Sequence, residues 1–242
     1  DMVHVVGTPQ FEHYFNQSFL RSREEFLNGV GLDASRPVVC FSGDDVTSSP
    51  YDPAYLADLA EALQTIPEGQ RPQILFRRCP VDASNRYAPV LEKYREIAVS
   101  EPLWFSYAHE DWSQIIPTIE DVALLSNVVR HSDLVVNVGS TMAADFAVFG
   151  KPAIYIAYNP PAANGSWNIH DSYRFAHLKS VHELQPVYWA ESPGKLAELV
   201  MHALAHPEEK DRERSQWMNQ LIEHPLDQAS DRCYEALERI SQ

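Results

Sequence analysis

Short apolar runs closed by turn residues alternate along most of the chain with longer segments whose apolar residues return every three to four positions. This is the pattern of buried strands taking turns with amphipathic helices. Met2-Val3-His4-Val5-Val6 reads as a strand and Gly7-Thr8-Pro9 as a turn, so the chain opens as though in the middle of a protein. Ser22 with Glu25 forms a capping box for a short helix ending near Gly29 to Gly31. Pro37 to Phe41 is then a buried strand, followed by the polar loop Ser42-Gly43-Asp44-Asp45. Asp52 before Pro53 predicts an N-cap with proline at the first helical position, and Leu56, Leu59, Ala60 and Leu63 supply the apolar face.

The order repeats with strand Ile74-Leu75-Phe76, a helix over Val90 to Arg95, and a strand at Ile97-Ala98-Val99. A helix from Thr118 to Arg130, strand Leu134 to Val138, a helix from Thr141 to Phe149 and strand Ala153 to Ile156 follow. Past Asn159 the pattern loosens into a loop rich in Pro, Asn and Gly. It recovers with a strand at Val187-Tyr188-Trp189, a helix from Pro193 to Ala205, and two closing helices, Glu208 to Glu223 and Asp227 to Ile240, parted by His224-Pro225. Such alternation predicts an α/β chain: a Rossmann-like parallel sheet flanked by helices on both faces, with a helical C-terminal extension. The corresponding division is 1–20 as a lead-in strand and linker from a preceding domain, 21–206 as the sheet domain, and 207–242 as helices packed on it.

With 242 residues, 45% of them hydrophobic, the chain can bury a full core. No apolar run nears the roughly 20 residues of a membrane helix, and the N-terminus lacks the basic-then-apolar order of a signal peptide. The expectation is a cytoplasmic protein that meets the inner face of a membrane, if at all, through the preceding domain. Cys40, Cys79 and Cys233 lie far apart without CxxC spacing, which fits a reducing compartment. A net charge of −15 argues against nucleic acid as partner, because neutralising a phosphate backbone takes clustered Lys and Arg. An anionic ligand has to be held by local geometry instead.

One segment offers that geometry. From Ser132 to Asp145 an apolar strand runs into Gly139-Ser140-Thr141 and then into a helix. Glycine lets the backbone approach a ligand, Ser140 and Thr141 offer hydroxyl donors, and the first-turn N–H groups favour an anion, so a diphosphate can bind without lysine. Asp145, one turn on, is placed to accept hydrogen bonds from ribose hydroxyls. The alternative is that Ser140 and Thr141 merely cap the helix while Asp145 complements its dipole. There is neither a Walker loop nor a GxGxxG.

The strand, Gly139-Ser140-Thr141, an acidic residue and then Phe149-Gly150-Lys151-Pro152 resemble the C-terminal domain of GT-B glycosyltransferases. CDP-glycerol glycerophosphotransferases and non-hydrolysing UDP-sugar epimerases are similar in layout, the further matching motifs being Val6-Gly7-Thr8-Pro9, Arg77-Arg78-Cys79-Pro80 and the closing stretch Leu226 to Arg232. The resemblance implies a donor nucleotide bound in this half as substrate, with no further cofactor. Its diphosphate would lie at Ser140-Thr141, its ribose near Asp145, its base against Ile116-Pro117, and Arg78 would approach the phosphates. It also implies an acceptor-binding domain before residue 1. Cys79 stands where many relatives carry histidine, which removes a phosphate-contacting or proton-carrying group.

Other candidates read more plainly. Asp44-Asp45 suits a solvated turn better than a metal, and His170, His177 and His182 lack ligand spacing. Arg174 is read as a solvated loop residue before a ligand contact, and Trp104, Phe105, Tyr107 and Trp112 as packing before a base or sugar platform. No Gly-x-Ser-x-Gly elbow points to a hydrolase. The resulting expectation is the donor-binding half of an enzyme transferring a sugar or polyol phosphate from an activated nucleotide to a surface glycan. Half of a sugar-nucleotide epimerase and a noncatalytic nucleotide-sensing domain are the alternatives.

Overall fold

The computed structural model describes residues 3–106, 114–163, 165 and 167–241. Its elements run in order as α1 (Arg23–Gly29), β1 (Val38–Ser42), α2 (Asp52–Gln64), β2 (Gln73–Arg77), α3 (Ala88–Lys93), β3 (Ala98–Ser100), β4 (Phe105–Ser106), β5 (Ile115–Ile116), α4 (Ile119–His131), β6 (Leu134–Asn137), α5 (Met142–Ala147) and β7 (Ala153–Ile156). The remainder is α6 (Ile169–Ser172), α7 (Lys179–Leu184), β8 (Tyr188–Ala190), α8 (Leu196–Ala205), α9 (Asp211–Leu221) and α10 (Ala229–Ile240).

Six strands form one parallel sheet in the order β3-β2-β1-β6-β7-β8. The strands of its centre are apolar on both faces: Val38 to Phe41, Leu134 to Val136 and Ile154 to Ile156 are all buried. Helices cover them, with α2 packed beside α8 and α3, and α4 beside α1 and α5. Ser22 caps α1 by accepting from the Glu25 N–H at 3.1 Å, as its spacing predicts. Thr118 does the same for α4 through Asp121 N–H, also at 3.1 Å.

Several expectations are corrected. Residues Val3 to Val6 form no strand; Val3 and Val5 are exposed, and the Val6 carbonyl accepts instead from Arg232 Nε at 2.9 Å beside α10. The pattern was local, and among the described residues no strand pairs with it. A 3-10 helix over Pro9–Phe15 follows, burying Phe11 and Tyr14 against the body of the protein. Asp52 is no N-cap: Tyr51 takes that position, and the Asp52 carboxylate is wholly buried, accepting from Ser49 Oγ (2.5 Å), Asp44 N–H (2.5 Å) and Tyr87 Oη (3.1 Å). The α5 helix stops at Ala147, because the chain must turn through Gly150 (φ +65°) to re-enter the sheet. Tyr107 and Trp112 lie outside the described residues. Among the described residues, no helix is long and apolar enough to cross a membrane.

Candidate functional site at the strand-order reversal

In the order β3-β2-β1-β6-β7-β8, the chain steps away from β1 in one direction through β2 and β3 and in the other through β6, β7 and β8. Connections therefore diverge between β1 and β6 and leave a crevice at the carboxyl ends of those two strands. The loops Ser42-Gly43-Asp44 and Val138-Gly139-Ser140-Thr141 open there, since Phe41 lies beside Val136 in the ladder.

Gly139 has φ +64°, and a Cβ at that position would meet Tyr173 Cε1 at 3.0 Å and Leu178 Cδ1 at 3.2 Å. Both conformation and contact demand glycine. Ser140 is held on three sides: its N–H donates to Asn137 Oδ1 (3.2 Å), its Oγ accepts from Met142 N–H (3.3 Å), and its carbonyl accepts from Tyr155 Oη (3.0 Å). The Met142 bond gives Ser140 part of the helix-start role that was the alternative to a ligand contact, although Thr141 occupies the N-cap position. Thr141 makes no side-chain cap to α5 and is exposed at the mouth of the crevice.

The row of the sheet just below this loop is polar. Ser100, Arg77 and Ser42 are register partners across β3, β2 and β1, and Asn137, Tyr155 and Trp189 continue across β6, β7 and β8. Arg77 donates through Nη2 to both oxygens of Asp121 (2.7 and 2.8 Å), which also receives Leu103 N–H (2.8 Å) and Trp104 Nε1 (2.6 Å). This buried pair ties the first turn of α4 to the end of β2. Arg77 Nη1 and Asn137 Nδ2 are buried without a hydrogen-bond partner among the described residues. Sequence reading passed over Arg77 for its neighbour, although strand alternation puts the two on opposite faces.

The other expected residues distribute unevenly. Arg78 follows the end of β2, with Nε on Glu101 (2.9 Å), Nη1 on the Ser84 carbonyl (2.8 Å) and its guanidinium 5.4 Å from the Tyr87 ring centroid. Ile116 pairs with Phe105 in the β4–β5 ladder and is exposed, as is Pro117, so the two form an apolar ledge at the start of α4. Asp145 is the clear correction. Its carboxylate is 2% exposed and accepts from Tyr14 Oη at 2.8 Å, so it faces the core and makes no surface for a ribose. Burial lifts its carboxyl to about 6, against the hydrogen bonds of Tyr14 and Gln10, which lower it. Position along a helix predicts spacing, not which way the helix rolls against its neighbours.

Asp44 and Asp45 build the other lip. Asp45 closes a turn, accepting from Thr47 N–H (2.8 Å) and Ser48 Oγ (2.7 Å). Burial raises the Asp44 carboxyl to about 7, with Asp52 and Asp45 adding to the effect while Asp45 N–H and Arg86 oppose it. Lys151 of the Gly-Lys-Pro stretch lies at the opposite end of the sheet from the β1–β6 crevice. Its Nζ donates to the carbonyls of Val129 (2.8 Å), Arg130 (2.6 Å) and Ser132 (2.6 Å) and so closes the C-terminal end of α4. A cavity of about 640 Å³ opens at the opposite end of the sheet. There Arg23 is already committed to Asp133 (2.9 Å) and to the Ala34 and Arg36 carbonyls, so the switch-point crevice has the stronger claim.

No family model and no curated protein matches the chain. Solved structures do. The wall teichoic acid polymerase TagF, as a variant soaked with CDPG, is 12% identical with a TM-score of 0.57, over 95% of this chain and 48% of that one. A putative UDP-N-acetylglucosamine 2-epimerase from Listeria monocytogenes is 12% identical with a TM-score of 0.57, over 97% of this chain and 52% of that one. The fold is that of a Rossmann-like half of the GT-B architecture. The chain spans about half the length of the structures it matches.

Proposed function

We propose that this chain is the donor-binding half of a glycosyltransferase-like enzyme that moves a sugar or polyol phosphate from an activated nucleotide to a surface glycan or related acceptor. The observation that carries the reading is the Gly139-Ser140-Thr141 loop at the reversal of strand order, the place where open α/β sheets take their ligands. In this reading the diphosphate lies at Ser140 and Thr141, the base rests on the Ile116-Pro117 ledge, and Arg78 turns from Glu101 to a phosphate. Backbone N–H groups of the loop would stabilise charge growing on the departing nucleotide, a nucleoside diphosphate where a sugar moves and a monophosphate where a polyol phosphate does. Asp145 supports the loop's helix from the core side and is given no ribose. The acceptor and the remaining catalytic groups would come from a second domain.

The test is calorimetric titration of the chain with UDP, CDP, GDP and CMP, beside a Ser140→Ala, Thr141→Ala double variant. Each hydroxyl bonded to a phosphate oxygen contributes enough that the double variant is expected to lose about tenfold or more in affinity. Unchanged affinity overturns the site assignment. The epimerase reading is supported by a likeness of the same size and shares the same donor site. Product analysis of the full-length protein separates the two.

A further inference from the structure

The segment from α6 to α7 crosses the crevice, and its side chains divide sharply into buried and exposed. Tyr173 and Leu178 are 3% and 2% exposed, and both press on Gly139. Tyr173 also stacks on Tyr155 at 5.6 Å and donates its hydroxyl to the Ile156 carbonyl, while Ser172 Oγ reaches the Ser48 carbonyl at 3.4 Å on the opposite lip. Between these anchors stand Arg174, Phe175 and His177, all exposed. Phe175 shows 56% of its surface, and its ring lies nearly parallel to that of His177 (6.0 Å, 13°). Among the described residues, Arg174 is paired with the neighbouring Asp171, at 2.9 Å.

We propose that Phe175, with Arg174 and His177 beside it, is the platform for the transferred sugar or polyol of the donor. This rests on the nucleotide reading above and adds to it the end of the donor beyond the diphosphate. Phe175 is two residues from one anchor on the phosphate loop and three from the other, so the chain holds its Cα within about 8–11 Å of them. The Ile116 ledge lies at the opposite flank of the crevice, on the side of β2 and β3, where Asp121 of α4 is tied to Arg77. Phe175 lies on the side of β7, where Tyr173 meets Tyr155 and Ile156. From β2, which carries Arg77, to β7 there are three interstrand steps of about 4.8 Å, so about 14 Å separate the two flanks, with the Gly139 loop between them. Base, diphosphate and transferred group fit this span in line. A sugar or polyol offers C–H faces to an aromatic ring and hydroxyls to the guanidinium and imidazole beside it.

The experiment titrates the chain with UDP against UDP-N-acetylglucosamine and with CDP against CDP-glycerol, for wild type, Phe175→Ala and Phe175→Tyr. One activated donor is expected to bind about fivefold tighter than its nucleoside diphosphate, which is the size of a single aromatic contact. Phe175→Ala removes that advantage while leaving nucleoside diphosphate affinity unchanged, and Phe175→Tyr retains it. Donor and diphosphate binding equally in wild type, or an advantage that survives Phe175→Ala, overturns the platform while leaving the nucleotide site in place. Absence of nucleotide binding, or binding indifferent to Ser140→Ala with Thr141→Ala, overturns the nucleotide reading and the platform with it.

Discussion

Replacing Asp145 by asparagine tests the packing role assigned to that residue against the ribose role its position in the sequence suggested. The carboxyl is held at about 6 in the fold, against 3.8 for an ordinary aspartate. Between those values the folded chain keeps a proton that the unfolded chain releases, so stability falls as pH rises through the window. The full penalty stands above about pH 6 and disappears below about pH 4. A displacement of this size corresponds to roughly 3 kcal/mol, of which roughly 2 kcal/mol develops between about pH 4.5 and pH 7.5. Asparagine keeps an oxygen for Tyr14 Oη and cannot ionise. Urea unfolding of wild type and Asp145→Asn at those two pH values should therefore show the variant losing about 2 kcal/mol less stability on going to the higher pH. Parallel losses in the two proteins would refute the buried-carboxyl argument. Nucleotide affinity supplies the second readout: a packing residue leaves it unchanged, whereas a ribose ligand would lower it.

Two further expectations concern the scaffold. Gly139→Ala forces a Cβ into a left-handed turn and onto Tyr173 and Leu178, and is expected to cost roughly 2–4 kcal/mol in urea unfolding; a loss below about 0.5 kcal/mol would show that the loop relaxes freely. Asp121→Leu leaves the Arg77 guanidinium buried without its counter-charge and should cost roughly 3–5 kcal/mol. The double change with Arg77→Met should recover part of that loss, and strictly additive losses in the cycle would refute the pairing.

The elements most legible in the sequence are those whose pattern repeats over several residues. The strands at Val38, Ile74, Leu134 and Ala153 and the helices at Asp52, Thr118 and Leu196 all form where the apolar spacing put them, within a few residues at each end. The β4–β5 ladder and the short α6 and α7 helices were not legible, because two to six residues carry too little period to distinguish them from loop. The opening strand failed for a different reason: Val3 and Val5 alternate as a strand should, but a strand exists only where a neighbour pairs with it. The Gly139-Ser140-Thr141 loop was visible as a glycine followed by two hydroxyl residues between strand and helix. Its walls were not, since Tyr173, Leu178 and Asn137 carry no local mark of their destination.

The sequence by itself determined the layer architecture and the chemistry available to it. Apolar period and turn residues are properties of consecutive positions, and strands alternating with helices leave a parallel sheet as the way to bury both faces. Tertiary structure alone decided the strand order, and with it the crevice between β1 and β6 where Gly139 meets Tyr173 from a segment more than thirty residues away. It also decided that Asp145 faces Tyr14 and that Arg77 pairs with Asp121. The reason is physical. Which strand lies beside which, and how far each helix rolls, follow from filling one shared interior at close packing, a condition that involves the whole chain at once and that no local window contains.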